Sequence, residues 1–230
     1  MKTIHPSELS PTQVQMILQT AVSPRPIALA STIDKNGNVN LSPFSFFNLF
    51  SSNPPILIFS PARRVRDNST KDTLHNVLEV PEVVIGNVNF DMVQQVSLSS
   101  TEYETGVDEF IKSGLTKKPA ELVKPPLIAE SPVNFECKVI EVKPLGNEGG
   151  AGNLVICEVL KIHMREEFLN VEGNLDQKKL DWFLDWAETG TEEQLQKLYS
   201  KFQNHWLPKE LALINCLQKL NIPKFSQEMI

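Results

Sequence analysis

Residues 40–76 read NLSPFSFFNLFSSNPPILIFSPARRVRDNSTKDTLHN, and the rest of the chain is organised around them. The opening portion, Ser42-Pro43-Phe44-Ser45-Phe46-Phe47-Asn48, is too apolar for a solvated loop and too rich in hydroxyls for a plain core strand. A flat ligand that also hydrogen-bonds would fit such a surface. Ile56-Leu57-Ile58-Phe59, punctuated by Asn53-Pro54-Pro55 before it and Ser60-Pro61 after it, reads as a short buried strand. Arg63, Arg64 and Arg66 come next, and Ser69-Thr70-Lys71-Asp72-Thr73 then enters a helical pattern through Leu74, Val77 and Leu78, with Thr70 as the expected N-cap. A helix start carries unpaired amides and the positive end of the macrodipole, so cations and hydroxyls gathered there suit a phosphate. An apolar surface and a phosphate grip so close in sequence point to a nucleotide-like ligand.

Outward from this stretch, Val14, Ile17 and Leu18 make a helical pattern over 10–20, with Thr12 or Ser10 as its cap. Residues 25–33 are strand-like, and Asp34-Lys35-Asn36-Gly37-Asn38 turns the chain into a second strand from Val39, so the SPFSFFN stretch is expected to end that hairpin strand. Further strands are expected over 82–88, 133–142 and 154–164, the last two joined by the glycine-rich segment 146–152. Residues 90–98 and 107–113 read as short helices, the second stopped by Gly114. Between them lies a polar connector whose Tyr103 is placed to overhang a site, and 119–132 is too proline-rich for long regular structure. A run of hairpins with few helices predicts a mainly β fold with helices, a closed or nearly closed barrel that removes exposed strand edges. From Gln177 the texture turns helical, with Leu180, Phe183, Leu184 and Ala187 on one face and further patterns through Leu217, so the expected division is a barrel domain over 1–176 and a helical extension over 177–230.

The 230 residues carry 22 basic and 28 acidic side chains, a net charge of -6, which argues against a nucleic-acid protein. The basic cluster 63–71 in an acidic chain is therefore read as a site for a small anion. No secretory h-region follows Met1 and no stretch approaches the ~18 apolar residues of a membrane span, so a cytoplasmic protein is expected. Cys137, Cys157 and Cys216 are scattered and odd in number, which excludes a disulfide framework or a metal-ligand spacing. No catalytic triad, Walker loop or dinucleotide fingerprint is present.

Ser23-Pro24-Arg25-Pro26-Ile27-Ala28-Leu29, SPFSFFN, SPARRVRDNSTKDT, Phe135-Glu136-Cys137-Lys138-Val139 and the strand from Glu158 to His163 jointly resemble the flavin reductase-like domain family, FMN-binding split barrels related to the reductase components of two-component monooxygenases. The resemblance covers roughly residues 15 to 180. It implies that Ser42, Ser45 and Asn48, with the backbone of Phe44 and Phe46, face the isoalloxazine ring, the phenylalanine rings being core aromatics as the alternative. It also implies that Ser60, Lys71, Asp72, Thr73 and one or two of Arg63, Arg64 and Arg66 hold the phosphate. Asn87 and Asn89 either hydrogen-bond the flavin or form a turn. His163 is a candidate catalytic residue with a structural hydrogen-bonding role as the alternative. The implied activity is flavin reduction by NADH or NADPH in a homodimer, with an oxygenase as a possible partner; the alternatives are a non-catalytic FMN carrier or sensor, or a structural dimer without cofactor. Where the resemblance leads one to expect an arginine, paired glycines and an aromatic after Leu180-Asp181, the chain instead has Trp182-Phe183-Leu184-Asp185-Trp186. That departure falls on the substrate or nicotinamide side of the site, and the two tryptophans either cover the flavin or a partner subunit or pack as an i, i+4 pair.

Overall fold

Asp34 begins the barrel by folding the first hairpin: its Oδ1 accepts from the backbone N–H groups of Asn36 and Asn38, both at 2.8 Å. In the computed structural model, which describes residues 1–181, this turn joins β1 (Ala28–Ile33) to β2 (Val39–Phe44) in antiparallel register from Ala28↔Phe44 to Ile33↔Val39. The other strands are β3 (Phe47–Ser52), β4 (Pro55–Phe59), β5 (Glu82–Asn87), the short pair β6 (Lys117–Lys118) and β7 (Leu127–Ile128), β8 (Val133–Pro144) and β9 (Asn153–Met164). Seven of them form one antiparallel sheet in the order β2-β1-β5-β8-β9-β4-β3.

The two edges of that sheet are consecutive in the chain. Laid flat, seven strands would separate β2 from β3 by about 29 Å at 4.8 Å per strand, whereas three Cα steps from Phe44 to Phe47 span at most about 11 Å. The sheet must therefore curl until its edges meet, and it does so at the Ser45-Phe46 corner, where the Ser60 N–H donates to the Phe46 carbonyl at 2.9 Å. The edges approach without pairing along their length, and the architecture is a split barrel. The SPFSFFN stretch is accordingly not the end of one strand, as the hairpin pattern suggested. It ends β2, turns the corner and begins β3.

Side-chain alternation divides the core in two. Ala28, Ala30, Phe44, Phe59, Val83, Ile85, Cys137, Val139, Val155 and Cys157 face the barrel interior, joined by Leu74 and Val77 of helix α2 (Asp72–Glu79). Leu29, Leu41 and Val84 point to the opposite face and meet Met92, Val96 and Phe110 beneath α3 (Val93–Ser99) and α4 (Glu109–Ser113). Strands β1 and β5, covered on both sides, are near-continuous apolar runs for this reason. Gly114 ends α4 at φ +74, as its position after the apolar pattern predicts. Cys137 and Cys157 are buried free thiols, their pKa values raised by burial.

Helix α1 (Pro11–Ala21) is capped by Ser10 in a reciprocal capping box with Gln13 and buries no residue. After β9 the described chain ends in α5 (Gln177–Leu180), with Leu180 buried and the Asp181 carbonyl accepting from the Phe90 N–H at 3.0 Å. The expected helices beyond that point, and Cys216, lie outside the described residues. Among the described residues no helix is long and apolar enough to cross a membrane.

Candidate functional site

Asn40, Ser42 and Phe44, two residues apart on β2, share one face, and α2 lies against it. The amide of Asn40 donates to Thr73 Oγ1 at 2.9 Å, the Lys71 ammonium reaches Ser42 Oγ at 3.5 Å, and the same ammonium stands 4.8 Å from the centroid of the Phe44 ring. The two halves of the 40–76 stretch are thereby brought together. Phe44 itself is buried, packed 5.3 Å centroid to centroid on Phe59, and serves as the floor beneath Lys71.

Between them opens a cavity of about 170 Å³ lined by Asn40, Ser42, Arg64, Lys71, Asp72 and Thr73 from one side. Glu109 of α4 and residues 99–103, the end of α3 and the connector after it, line it from the other. Of the sequence candidates, Ser42, Arg64, Lys71, Asp72 and Thr73 meet here. Arg66 reaches the same place indirectly, its Nη2 donating to Glu102 Oε1 at 2.5 Å. Tyr103 overhangs the cavity as its place in the connector suggested, its hydroxyl donating to the Leu98 carbonyl at 3.2 Å.

The other candidates do not line this cavity. Ser45 and Phe46 form the barrel corner. The Asn48 Oδ1 accepts from the neighbouring Leu49 N–H at 2.8 Å, and Ser60 sits below the glycine-rich segment 146–152. Asn87 follows Val83 and Ile85 on the interior face of β5, opposite Ala28, which pairs in turn with Phe44; its Oδ1 is buried without a hydrogen-bond partner among the described residues, and so is that of Asn89. Arg63 is committed elsewhere: its guanidinium donates to the Asn68 side chain at 2.7 Å and to the Asn68 carbonyl at 2.9 Å.

His163 lies on β9 with its Nε2 2.5 Å from Glu136 Oε1. Glu136 is fully buried and also accepts from the backbone N–H groups of Glu121, Leu122 and Val123 at 3.0, 2.6 and 3.1 Å. The pair pins the proline-rich segment to the sheet, which is the structural alternative for this histidine. Burial raises the Glu136 carboxyl pKa, but the Glu121 N–H, His163 and the other two amides outweigh it and hold the value below that of an ordinary carboxylate.

Helix α2 begins one residue later than Thr70 would require. Lys71 occupies the N-cap position and gives no side-chain cap bond, while Thr70 Oγ1 lies 2.6 Å from His75 Nε2. No side chain caps the first amides of α2 among the described residues, an arrangement that suits an anion. Thr73 Oγ1 accepts from Asn40, so its own O–H remains a donor. Arg64 is held in place by Nη1 donating to Ser69 Oγ at 3.0 Å and to the Thr70 carbonyl at 2.9 Å. Burial lowers the Lys71 pKa, Arg64 pushes the same way and Glu102 opposes them; a bound anion would act as Glu102 does.

Sequence reasoning missed Asn40, Glu102 and Glu109. Glu109 is buried, its Oε2 accepting from the Leu41 N–H at 2.9 Å. Burial raises its pKa, the Leu41 bond lowers it, and Asp72 and Asp108 raise it further. In the sequence it shows only as an acid in a first helical turn; its place at the cavity comes from the packing of α4 on β2. The glycine-rich segment also has a role that composition hides. A Cβ on Gly149 would fall 2.9 Å from Val65 Cα, so a residue without a side chain is what lets this loop lie against the arginine loop.

The model of the family described as "Flavin reductase like domain" matches residues 21–178. An uncharacterized protein of Aquifex aeolicus is 37% identical over 158 residues, 69% of this chain and 78% of that protein. Among solved structures, nitrilotriacetate monooxygenase component B from Bacillus cereus superposes with a TM-score of 0.76 at 26% identity, covering 81% of this chain and 92% of that one. The 2-nitrobenzoate 2-nitroreductase NbaA of Pseudomonas fluorescens gives 0.69 at 24% identity, covering 83% and 90%.

Proposed function

The chain belongs to the flavin reductase-like domain family, and from that premise we propose that it binds FMN and reduces it with NADH or NADPH. The observation that carries this reading is the uncapped start of α2 packed against Asn40 and Ser42 at a polar cavity, with Lys71 and Arg64 beside it. At about 170 Å³ the cavity is smaller than the roughly 300–1,000 Å³ of a whole-ligand pocket. It fits the phosphate and the hydroxylated chain, with the ring lying beyond it toward the Ser45-Phe46 corner.

Lys71, Arg64, the Thr73 hydroxyl and the first amides of α2 would hold the phosphate. Asn40, Asp72 and Glu109 offer acceptors to ribityl hydroxyls. Ser42, Ser45, Phe46 and Asn48 would border the ring, Asn87 Oδ1 awaits a donor such as a ring N–H, Ser60 supports the basic loop, and Arg66 adds a second guanidinium beside Arg64. When bound, the flavin supplies the hydride-accepting chemistry. The residues' task is to fix its plane and exclude water, which matches the lack of an acid–base constellation among them.

The ring seat would be open on the side of β3, an edge strand that exposes Leu49 and Phe50 next to the exposed Phe46 of the corner, and α1 exposes Met16, Ile17 and Leu18, followed by the exposed Val22. A homodimer covering these surfaces would complete the ring's environment, and a reduced flavin released from it could serve an oxygenase. Titration with FMN, followed by NADH or NADPH under anaerobic conditions, tests the reading: a saturable spectral change and then bleaching of the flavin absorbance are expected. Binding without bleaching would leave an FMN carrier, and no binding would overturn the proposal.

A further inference from the structure

The proposed phosphate site already contains an anion of its own. Glu102, on the connector between α3 and α4, places one oxygen, Oε1, 2.7 Å from Arg64 Nε and 2.5 Å from Arg66 Nη2. Two guanidinium groups donating charge-assisted bonds to one carboxylate oxygen make a site that a phosphate oxygen could occupy equally well. The carboxylate is also close enough to Lys71 to act on its titration, so it stands among the three cations available to the ligand.

The contact is made to be broken. The Glu102 and Arg66 side chains are 44% and 64% exposed, and exposed ion pairs contribute little and are screened by salt. Arg64 keeps Ser69 and Thr70 as partners when Glu102 leaves, and Arg66 keeps Asp67 at 3.1 Å. The connector's hydrogen bond to α2, Thr105 Oγ1 to Asp72 Oδ1, is a long one at 3.4 Å.

We propose that Glu102 is an intramolecular competitor for the flavin phosphate: a phosphorylated flavin binds by exchanging its phosphate for the Glu102 carboxylate on Arg64 and Arg66, and the connector over the cavity is released as it does so. This rests on the flavin reading above. A flavin without a phosphate need not displace Glu102, so the residue tunes affinity for phosphorylated flavins selectively.

Glu102→Gln removes the competing charge while keeping the side chain's size, and FMN and riboflavin are titrated into both forms. The variant should bind FMN about tenfold more tightly and riboflavin within about twofold of the wild type. Equal tightening of both flavins would make the connector a steric lid and overturn the exchange. Unchanged FMN affinity would also overturn it, and weaker FMN binding would make Glu102 a contact of the ligand. Failure of both forms to bind either flavin would remove the flavin reading itself, whereas the other contrary outcomes leave it standing.

Discussion

Two carboxylates in this protein, Glu102 and Glu136, each sit among converging donors, and burial separates what they do. Glu136 is sealed in, with three backbone N–H groups and His163 on its two oxygens. Glu102 meets Arg64 and Arg66 in partly solvated surroundings. A buried anion that loses its donors, or donors that lose their anion, leaves desolvated groups with no water to replace the bond. A half-exposed pair exchanges partners at little cost. The first carboxylate is therefore suited to hold the fold and the second to be displaced.

The largest expected effect breaks the buried member. Glu136→Ala should lower unfolding free energy by about 3 kcal/mol, read by chemical denaturation. A loss as small as that of an exposed residue would erase the distinction. Next, replacing Lys71 and Thr73 together by alanine should weaken FMN binding more than about tenfold with riboflavin much less affected, and unchanged FMN affinity would take these residues out of the site.

The acid limb sharpens the comparison further. The folded-state pKa of Glu136 lies below the ordinary 4.5, so the folded protein binds fewer protons than the unfolded chain in that range. Its contribution is present above pH 4.5 and lost as pH falls through the lowered value. Glu136→Gln should flatten that limb. The smallest effect is expected at His163, where His163→Gln should cost about 1 kcal/mol of stability and leave the rate of flavin reduction unchanged. A slowed reduction with normal stability would instead make His163 catalytic.

Where local pattern governs, the fold was legible. The Asp34 turn, the alternation of β8 and β9 and the Gly114 stop all follow from short-range chemistry. So did the pairing of the hydroxyl-rich segment with the basic loop, because Ser42, Lys71 and Thr73 lie close in sequence to a hairpin and a helix start. The corner at Ser45-Phe46 was not legible: strand propensity runs unbroken through SPFSFFN, and only barrel closure forces the turn. Thr70 lost the cap position because its hydroxyl bonds His75. Glu102 and Glu109 reach the cavity from elements thirty and more residues away in sequence, and nothing local marks an acid that will face a distant arginine or a distant strand.

The central claim is that α2 and β2 grip a flavin phosphate between them, and a crystal structure of the protein grown with FMN tests it most directly. The phosphate is expected within hydrogen-bonding distance of Lys71 Nζ and Thr73 Oγ1, with Glu102 withdrawn from Arg64. An FMN bound with its phosphate away from the start of α2, and Glu102 still on both arginines, would contradict the account.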